Sequence, residues 1–323
     1  MRDVLLLAAM SSSQPAGAEA PADLPLTQQV QLLGGRLEAT LPAAMKLAAR
    51  GHHIMAAEAS GEHETRAILD LGPARFVMMT YELFAVIGRD FPAAILADKQ
   101  AQGEPTDTFR LEPLAVAAPL TAIAEIPTAT SSDADANLIY SAWIGHDDGT
   151  VQLLAFYVNP AGARDAARWA QLARNIALTL QPGPRALNLL AGEHTFGLAP
   201  ATVTVTTPDG WTASIQPGPD FAIYHLHKLA VLGTPAVSCG IYLGRHGSYQ
   251  FKQHGLDPAS VKSSPGKLFG AETTWLTWTA DGSRYATEVM LMHPSGAAMV
   301  HAFCSADTEA ELTDLRNIIE TIQ

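Results

Sequence analysis

The sequence predicts an α+β protein made of two tandem repeats, each an antiparallel β-sheet covered by a C-terminal helix. Three observations predict it. The chain closes on LRNIIETIQ (Leu315–Gln323), and nearly the same string, ARNIALTLQ, already stands at Ala173–Gln181. Ahead of these strings, GHDDGTVQLLAFYV (Gly145–Val158) parallels MHPSGAAMVHAFCS (Met292–Ser305). There His146, Gly149 and Ala155-Phe156 are matched by His293, Gly296 and Ala302-Phe303. Third, the second half reads as successive short strands parted by tight turns, the signature of an antiparallel sheet. A strand–turn–strand–helix ending that occurs twice is what two copies of one unit would give.

The elements follow in order. Arg2 precedes the apolar run Val4–Met10, and Ala16-Gly17-Ala18 offers a small-x-small cleavage site, so residues 1–26 read as a secretory signal and linker. The first domain is expected over 27–183, with strands at TRAILDL and ARFVMMTYELF and an irregular Ala/Pro-rich excursion over 92–136. In its closing helix, Trp169, Leu172, Ala173, Ile176 and Leu180 fall on one face, and Asn159-Pro160 can cap and open it. The Pro/Gly-rich stretch QPGPRALNLLAGEHTFG separates the domains, and the second is expected over 184–323. Pro-Asp-Gly and Pro-Gly-Pro-Asp split its opening into three short strands, and VSCGIYL follows. Residues 273–305 then read as a meander turning at Asp281-Gly282 and Ser295-Gly296. In the last helix Leu312, Leu315, Ile318, Ile319 and Ile322 share a face, and Thr308 with Glu311 has capping-box spacing. Long connectors stand at Phe91–Asn137 and Gly244–Ala271, where function or flexibility concentrates.

TVTTPDGWTASI near the start of the second half, the long excursion and the strand–turn–strand–helix ending together resemble the PsbP/Mog1-like group, which includes the bacterial DUF1795/DcrB-type proteins. The likeness covers most of 196–323 and only the tail of the first half. It implies a binding, assembly or chaperone-like protein, and it brings no catalytic residues with it.

Composition narrows the function classes. Hydrophobic residues are 48% and charged residues 16% of the chain, enough to fill cores. The formal net charge of −12, with acids in excess in both halves, argues against nucleic acid, whose phosphates need clustered Lys/Arg. It suits a partner with a basic surface. No stretch approaches the roughly 20 apolar residues of a membrane-spanning helix.

Catalytic motifs are absent: no nucleophile elbow, Walker A loop, dinucleotide fingerprint or H-E-x-x-H. Ser264-Pro265-Gly266-Lys267 fits S-x-x-K in form, but Pro-Gly between the pair denies it a helix. The cluster His52, His53, Glu58, Glu62, His63 and Glu64 reads as a solvated segment and not as an acid–base site. His225 and His227, two apart in IYHLHKL, share a strand face and are the metal candidates, with His246, His254 or His301 as a third ligand. Ordinary packed or surface histidines are the favoured reading of the pair, with no Asp or Glu close by in sequence. Cys239 and Cys304 are a disulfide candidate in an oxidising compartment and two buried free thiols in the cytoplasm. Trp275 and Trp278, three apart, face opposite sides of a strand, one toward the core and one as an anchor.

In the second connector, Arg245, His246, Tyr249, Lys252 and His254, with Tyr242 just before, make a basic-aromatic strip on an acidic chain. Such residues are favoured at interfaces. The reading is a non-enzymatic protein without cofactor, periplasmic or secreted, that recognises a protein partner. Its concrete form is an immunity-type inhibitor of a secreted bacterial toxin. The alternatives are a metal-binding or metal-dependent protein using His225 and His227, a small-ligand carrier, or a chaperone.

Overall fold

A computed structural model describes residues 21–48, 64–128, 136–234, 237–253, 255–280 and 284–323. The chain divides into two compact units. The first runs to Ala186 and includes Val231–Thr234; the second comprises Leu187–Ala230 and Pro235–Gln323. Of the expected signal and linker over 1–26, residues 1–20 lie outside the described residues, as do His52, His53, Glu58, Glu62 and His63 of the titratable cluster, whereas Glu64 opens a strand.

In chain order the first unit contains β1 (Leu26–Leu32), β2 (Leu37–Pro42), β3 (Lys46–Leu47), β4 (Glu64–Leu71), β5 (Ala74–Val86), α1 (Phe91–Ala101), β6 (Phe109–Leu114), β7 (Thr121–Pro127), β8 (Asn137–Gly145), β9 (Thr150–Val158), α2 (Ala166–Ala177) and β10 (Gln181–Pro182). Its strands form a three-stranded sheet, β1-β2-β10, and a large antiparallel sheet, β3-β4-β5-β9-β8-β7-β6. The remaining elements are β11 (Leu189–Leu198), β12 (Ala201–Pro217), β13 (Phe221–Lys228), β14 (Ala230–Val231), β15 (Ser238–Gly244), α3 (Gln250–Gln253), β16 (Lys262–Leu268), β17 (Ala271–Ala280), β18 (Arg284–Met292), β19 (Met299–Ala306) and α4 (Glu309–Ile319). The second unit's sheet is eight-stranded and antiparallel, β11-β12-β13-β15-β19-β18-β17-β16.

The expected fold class is therefore corrected. Strand makes up 53% and helix 19% of the described residues, with three antiparallel sheets and four short α-helices. The protein is mostly β, not two repeats of a helix-covered sheet. The cause lies in segments where local patterning was weak. The Ala/Pro-rich stretch 92–136, expected to be irregular, contains α1, β6 and β7. The connector 244–271 contains α3 and β16. Residues 26–42 pair as β1 and β2 and, with β10, add a three-stranded sheet that has no counterpart among the described residues of the second unit. Pro208-Asp209-Gly210 does not end a strand: β12 runs unbroken for 17 residues, with Gly210 at φ 80 absorbing the irregularity.

The helices themselves form as the apolar spacing dictates. Trp169, Leu172, Ala173 and Ile176 of α2 are buried, and so is Leu180 beyond it. The Trp169 ring stacks on Phe76 at 5.2 Å, and Phe76 stacks on Phe156 at 5.5 Å. Asn159 serves the entry differently from expectation. Its Oδ1 accepts at 3.0 Å from the N–H of Gly162, the first residue of a short 3-10 turn (Gly162–Asp165) that leads into α2 and whose N-cap, Ala161, has no side-chain cap. Thr308 and Glu311 form the full capping box at the start of α4. Leu312, Leu315, Ile319 and Ile322 then pack into the second core with Val203, Ile241, Trp275 and Val300.

The opposite face of the first unit's sheet is covered as well. Asp90 accepts from Ala93 N at 3.2 Å and Pro92 stands in the first turn, so α1 starts there. Phe91, Ala94 and Ile95 of α1 pack with Trp143, Val151, Leu153 and Leu232.

Candidate functional site

The strip predicted from the sequence lies on the second unit, and sheet register decides which of its residues meet. In antiparallel pairing, His225 stands opposite Gly240, Gly240 opposite Phe303, and Phe303 opposite Glu288. One row over, Tyr242 stands opposite His301. Directly opposed residues share a face, so one side of the sheet displays His225, His227, Phe303, His301 and Tyr242. Cys239 and Cys304, register partners on β15 and β19, point to the other side and are disulfide-bonded within the core.

Gly240 shapes this face. A Cβ there would come within 2.1 Å of Phe303 Cζ, so only a bare backbone lets the Phe303 ring lie across β15. The ring sits 6.4 Å from His225 and 5.4 Å from His301. Tyr249 meets His301 edge-on at 6.2 Å and lies 5.8 Å from Phe251. Gly240→Ala should lift Phe303 from the strand at a cost of about 1–3 kcal/mol. Thermal unfolding together with Phe303 ring shifts by NMR measures both effects.

The residues that chain position groups into the strip are held as follows. His246 N donates to Tyr242 Oη at 3.1 Å, while the His246 ring is 84% exposed and 4.0 Å from Asp220. Lys252 Nζ rests 5.4 Å over the Tyr249 ring. Arg245, His246 and Lys252 are exposed, whereas Tyr242 and Tyr249 are half-buried. His254 lies outside the described residues. The sequence reading missed Phe303, Gly240 and Glu288, although alternation in MVHAFCSA already set His301 and Phe303 on one side.

The metal candidates share a face, as their spacing requires, with rings 6.1 Å apart. One nitrogen of each ring has a side-chain partner: His227 Nε2 lies 3.0 Å from Ser214 Oγ, and His225 Nε2 lies 3.4 Å from Gln216 Oε1. Burial pushes the His225 imidazole below its usual range. The Phe303 ring stands between His225 and His301, and His301 Nε2 is 2.6 Å from Glu288 Oε2. Among the described residues, no group of three or more His, Cys, Asp or Glu could hold a metal ion. Ser264 and Lys267, three apart on the extended β16, face opposite ways. Trp275 and Trp278 do face opposite sides, but both are buried, so the anticipated exposed Trp anchor is not there. Trp278 is covered by Phe251, 6.3 Å away.

A second cluster of buried charge occupies the first unit. Arg36, just before β2, donates from Nε to Glu82 Oε2 (3.0 Å), from Nη1 to Asp148 Oδ2 (3.2 Å) and from Nη2 to Thr150 Oγ1 (2.6 Å). Gln152 Nε2 donates to the same Glu82 oxygen at 3.0 Å. Burial pushes the Glu82 carboxyl up to about 7, outweighing the pull of Arg36 and Gln152. Glu82, Thr150 and Gln152 are buried and Asp148 lies at the exposed rim, so the cluster fastens the start of β2 to the large sheet.

No family model matches the chain, and no curated protein matches it. Among solved structures, it is similar to a chain of the Tle4–Tli4 complex, with 11% identity over 91% of this chain and 96% of that one, at a TM-score of 0.23. It is similar also to a chain of MucB in complex with MucA(peri), with 13% identity over 89% and 88% and a TM-score of 0.19. An acyl-CoA thioesterase II, TesB2 from Mycobacterium marinum, shares 9% identity over 71% and 90% at 0.12. No helix among the described residues is long and apolar enough to cross a membrane. Likeness at these scores fixes neither fold nor function.

Proposed function

We propose that this chain is a non-enzymatic binding protein that recognises a protein partner through the surface around Tyr242, Arg245, His246, Tyr249 and Lys252. One observation carries the reading. Two half-buried tyrosines are held in place by the fold, Tyr242 by the His246 backbone and Tyr249 by His301 and Phe251, beneath exposed Arg245, His246 and Lys252. Fixed aromatic rings bury much area at small entropic cost, and flanking cations give direction. The net charge of −12 supports a partner that is basic overall and drawn in over distance, with acidic groups where it meets Arg245 and Lys252.

The specific form proposed is an immunity-type inhibitor of a secreted bacterial toxin, working in the periplasm. The Cys239–Cys304 bond supports an oxidising compartment. Kinship with the PsbP/Mog1-like group is proposed beside it, on the endings β8–β9–α2 and β18–β19–α4. With a partner in hand, Tyr249→Ala is expected to weaken binding about 30-fold, the scale of an interface hot spot. Calorimetric titration reads this directly. Unchanged affinity in both Tyr249→Ala and the Arg245→Ala/Lys252→Ala pair would remove this surface from the account.

A further inference from the structure

Glu288 has no exposed surface, yet it lies on the face of the second unit's sheet where only a short excursion covers it. Its two oxygens accept three N–H groups. Oε2 takes Gln250 N at 2.8 Å and His301 Nε2 at 2.6 Å, and Oε1 takes Phe251 N at 3.2 Å. Two of these donors open α3, the four-residue helix within the connector that leads from β15 to β16. The third comes from β19, the neighbouring strand. One buried side chain thus ties the connector's backbone to the sheet.

Beyond this the connector is held by few contacts: His246 N on Tyr242 Oη, Tyr249 against His301, and a small apolar cluster. The apolar cluster beneath it consists of buried Phe251, Trp278 and Ala286, with Tyr249, Leu256, Val261 and Leu276 only partly covered. The Trp278 indole N–H is buried there without a hydrogen-bond partner, a cost of the closed arrangement that water would relieve on opening. A segment with few buried contacts opens below the global unfolding energy. We infer that Glu288 is the latch of this connector. It is a positioning residue that keeps residues 245–253 and 255–261 folded over Trp278 and thereby sets Tyr249 and Lys252 where they stand. Released, the connector would bare Trp278 and scatter the strip. The inference rests on the chain's own contacts, so it stands or falls apart from the identity of any partner.

The unmodified protein gives the first test, by hydrogen exchange. The Gln250 and Phe251 amides should be protected, yet exchange about 100-fold or more faster than the amides of β18 and β19. The second test is Glu288→Gln, which must turn an amide NH2 toward one of the three donors whichever way it flips. It should speed exchange at Gln250 and Phe251, and trypsin cleavage after Lys252, about 10- to 100-fold, leaving β13 and β15 protected. His301→Gln, which keeps a donor for the carboxylate, should have a smaller effect. The proposal is overturned if the Gln250 and Phe251 amides of the unmodified protein exchange together with β19, or as freely as an unfolded chain. It is overturned equally if a folded Glu288→Gln variant is cut after Lys252 no faster. Should that variant not fold, the exchange pattern of the unmodified protein and of His301→Gln decides the matter.

Discussion

Breaking the Cys239–Cys304 bond is expected to lower the stability of the second unit by about 4 kcal/mol, the entropy of closing a loop of this length in the unfolded chain. The two cysteines are 65 residues apart and face each other on β15 and β19, in the middle of the eight-stranded sheet. Both are buried, at 2% and 4% exposure, among Ile241, Ala302 and Leu315. A Cys239→Ala/Cys304→Ala double variant removes the crosslink without adding a buried hydroxyl. Exchange protection of amides in β13, β15, β18 and β19 should then drop about a thousandfold. Amides of the large sheet in the first unit should keep theirs. A loss smaller than tenfold would mean that the bond adds little to a sheet already held by its packing.

The first unit should respond comparably to loss of Arg36. Its guanidinium is 5% exposed and pairs with Glu82, which is wholly buried, and with Asp148 at the rim. Removing one partner of a buried ion pair strands the other, at about 3–5 kcal/mol. Arg36→Met is expected to cost that much above neutral pH. Arg36→Met with Glu82→Met should recover most of it, because replacing both partners by apolar groups leaves no stranded charge. The pH dependence has a definite sign. Glu82 is raised from 4.5 to about 7, so its protonated form is favoured in the fold. Its contribution is fully present below about pH 4.5 and is lost as pH rises through 7, by about 3 kcal/mol in all. His146 opposes this slope. Burial lowers its pKa, so folding loses stability as pH falls below 6.5, where the unfolded imidazole takes a proton first. Denaturation of Glu82→Gln across pH 4.5–8 separates the opposing slopes, since only those of the buried histidines, His146 and in the second unit His225, should survive. An unchanged profile in Glu82→Gln would show that Glu82 titrates normally.

What the sequence shows and what it hides divide along the range of the interactions. The faces of α2 and α4, the capping box at Thr308 and the opposed sides of Trp275 and Trp278 follow from spacing within one element, and spacing is written in the chain. The side shared by His225 and His227 is legible for the same reason. Long-range pairing is not. Arg36 finds Glu82 and Asp148, 46 and 112 positions away, only through sheet register. Phe303 lies between His225 and His301 because Gly240 happens to face it, and Glu288 reaches α3 from a different strand. The fold class was misjudged where composition blurs periodicity. Alanines and prolines over 92–136 conceal one helix and two strands, and Pro208-Asp209-Gly210 reads as a turn while the strand passes through it. Weak local preference yields to pairing with neighbouring strands, so such segments are strands by context.

The central claim is that the second unit's basic-aromatic surface serves a protein partner. The most direct measurement is affinity purification of the tagged protein from its native cells at low salt, followed by mass spectrometry of the intact complex. The account predicts one protein partner at fixed stoichiometry, lost when Tyr249→Ala is combined with Arg245→Ala and Lys252→Ala. Recovery of the chain alone, or with only a small ligand or a metal ion bound, would contradict it.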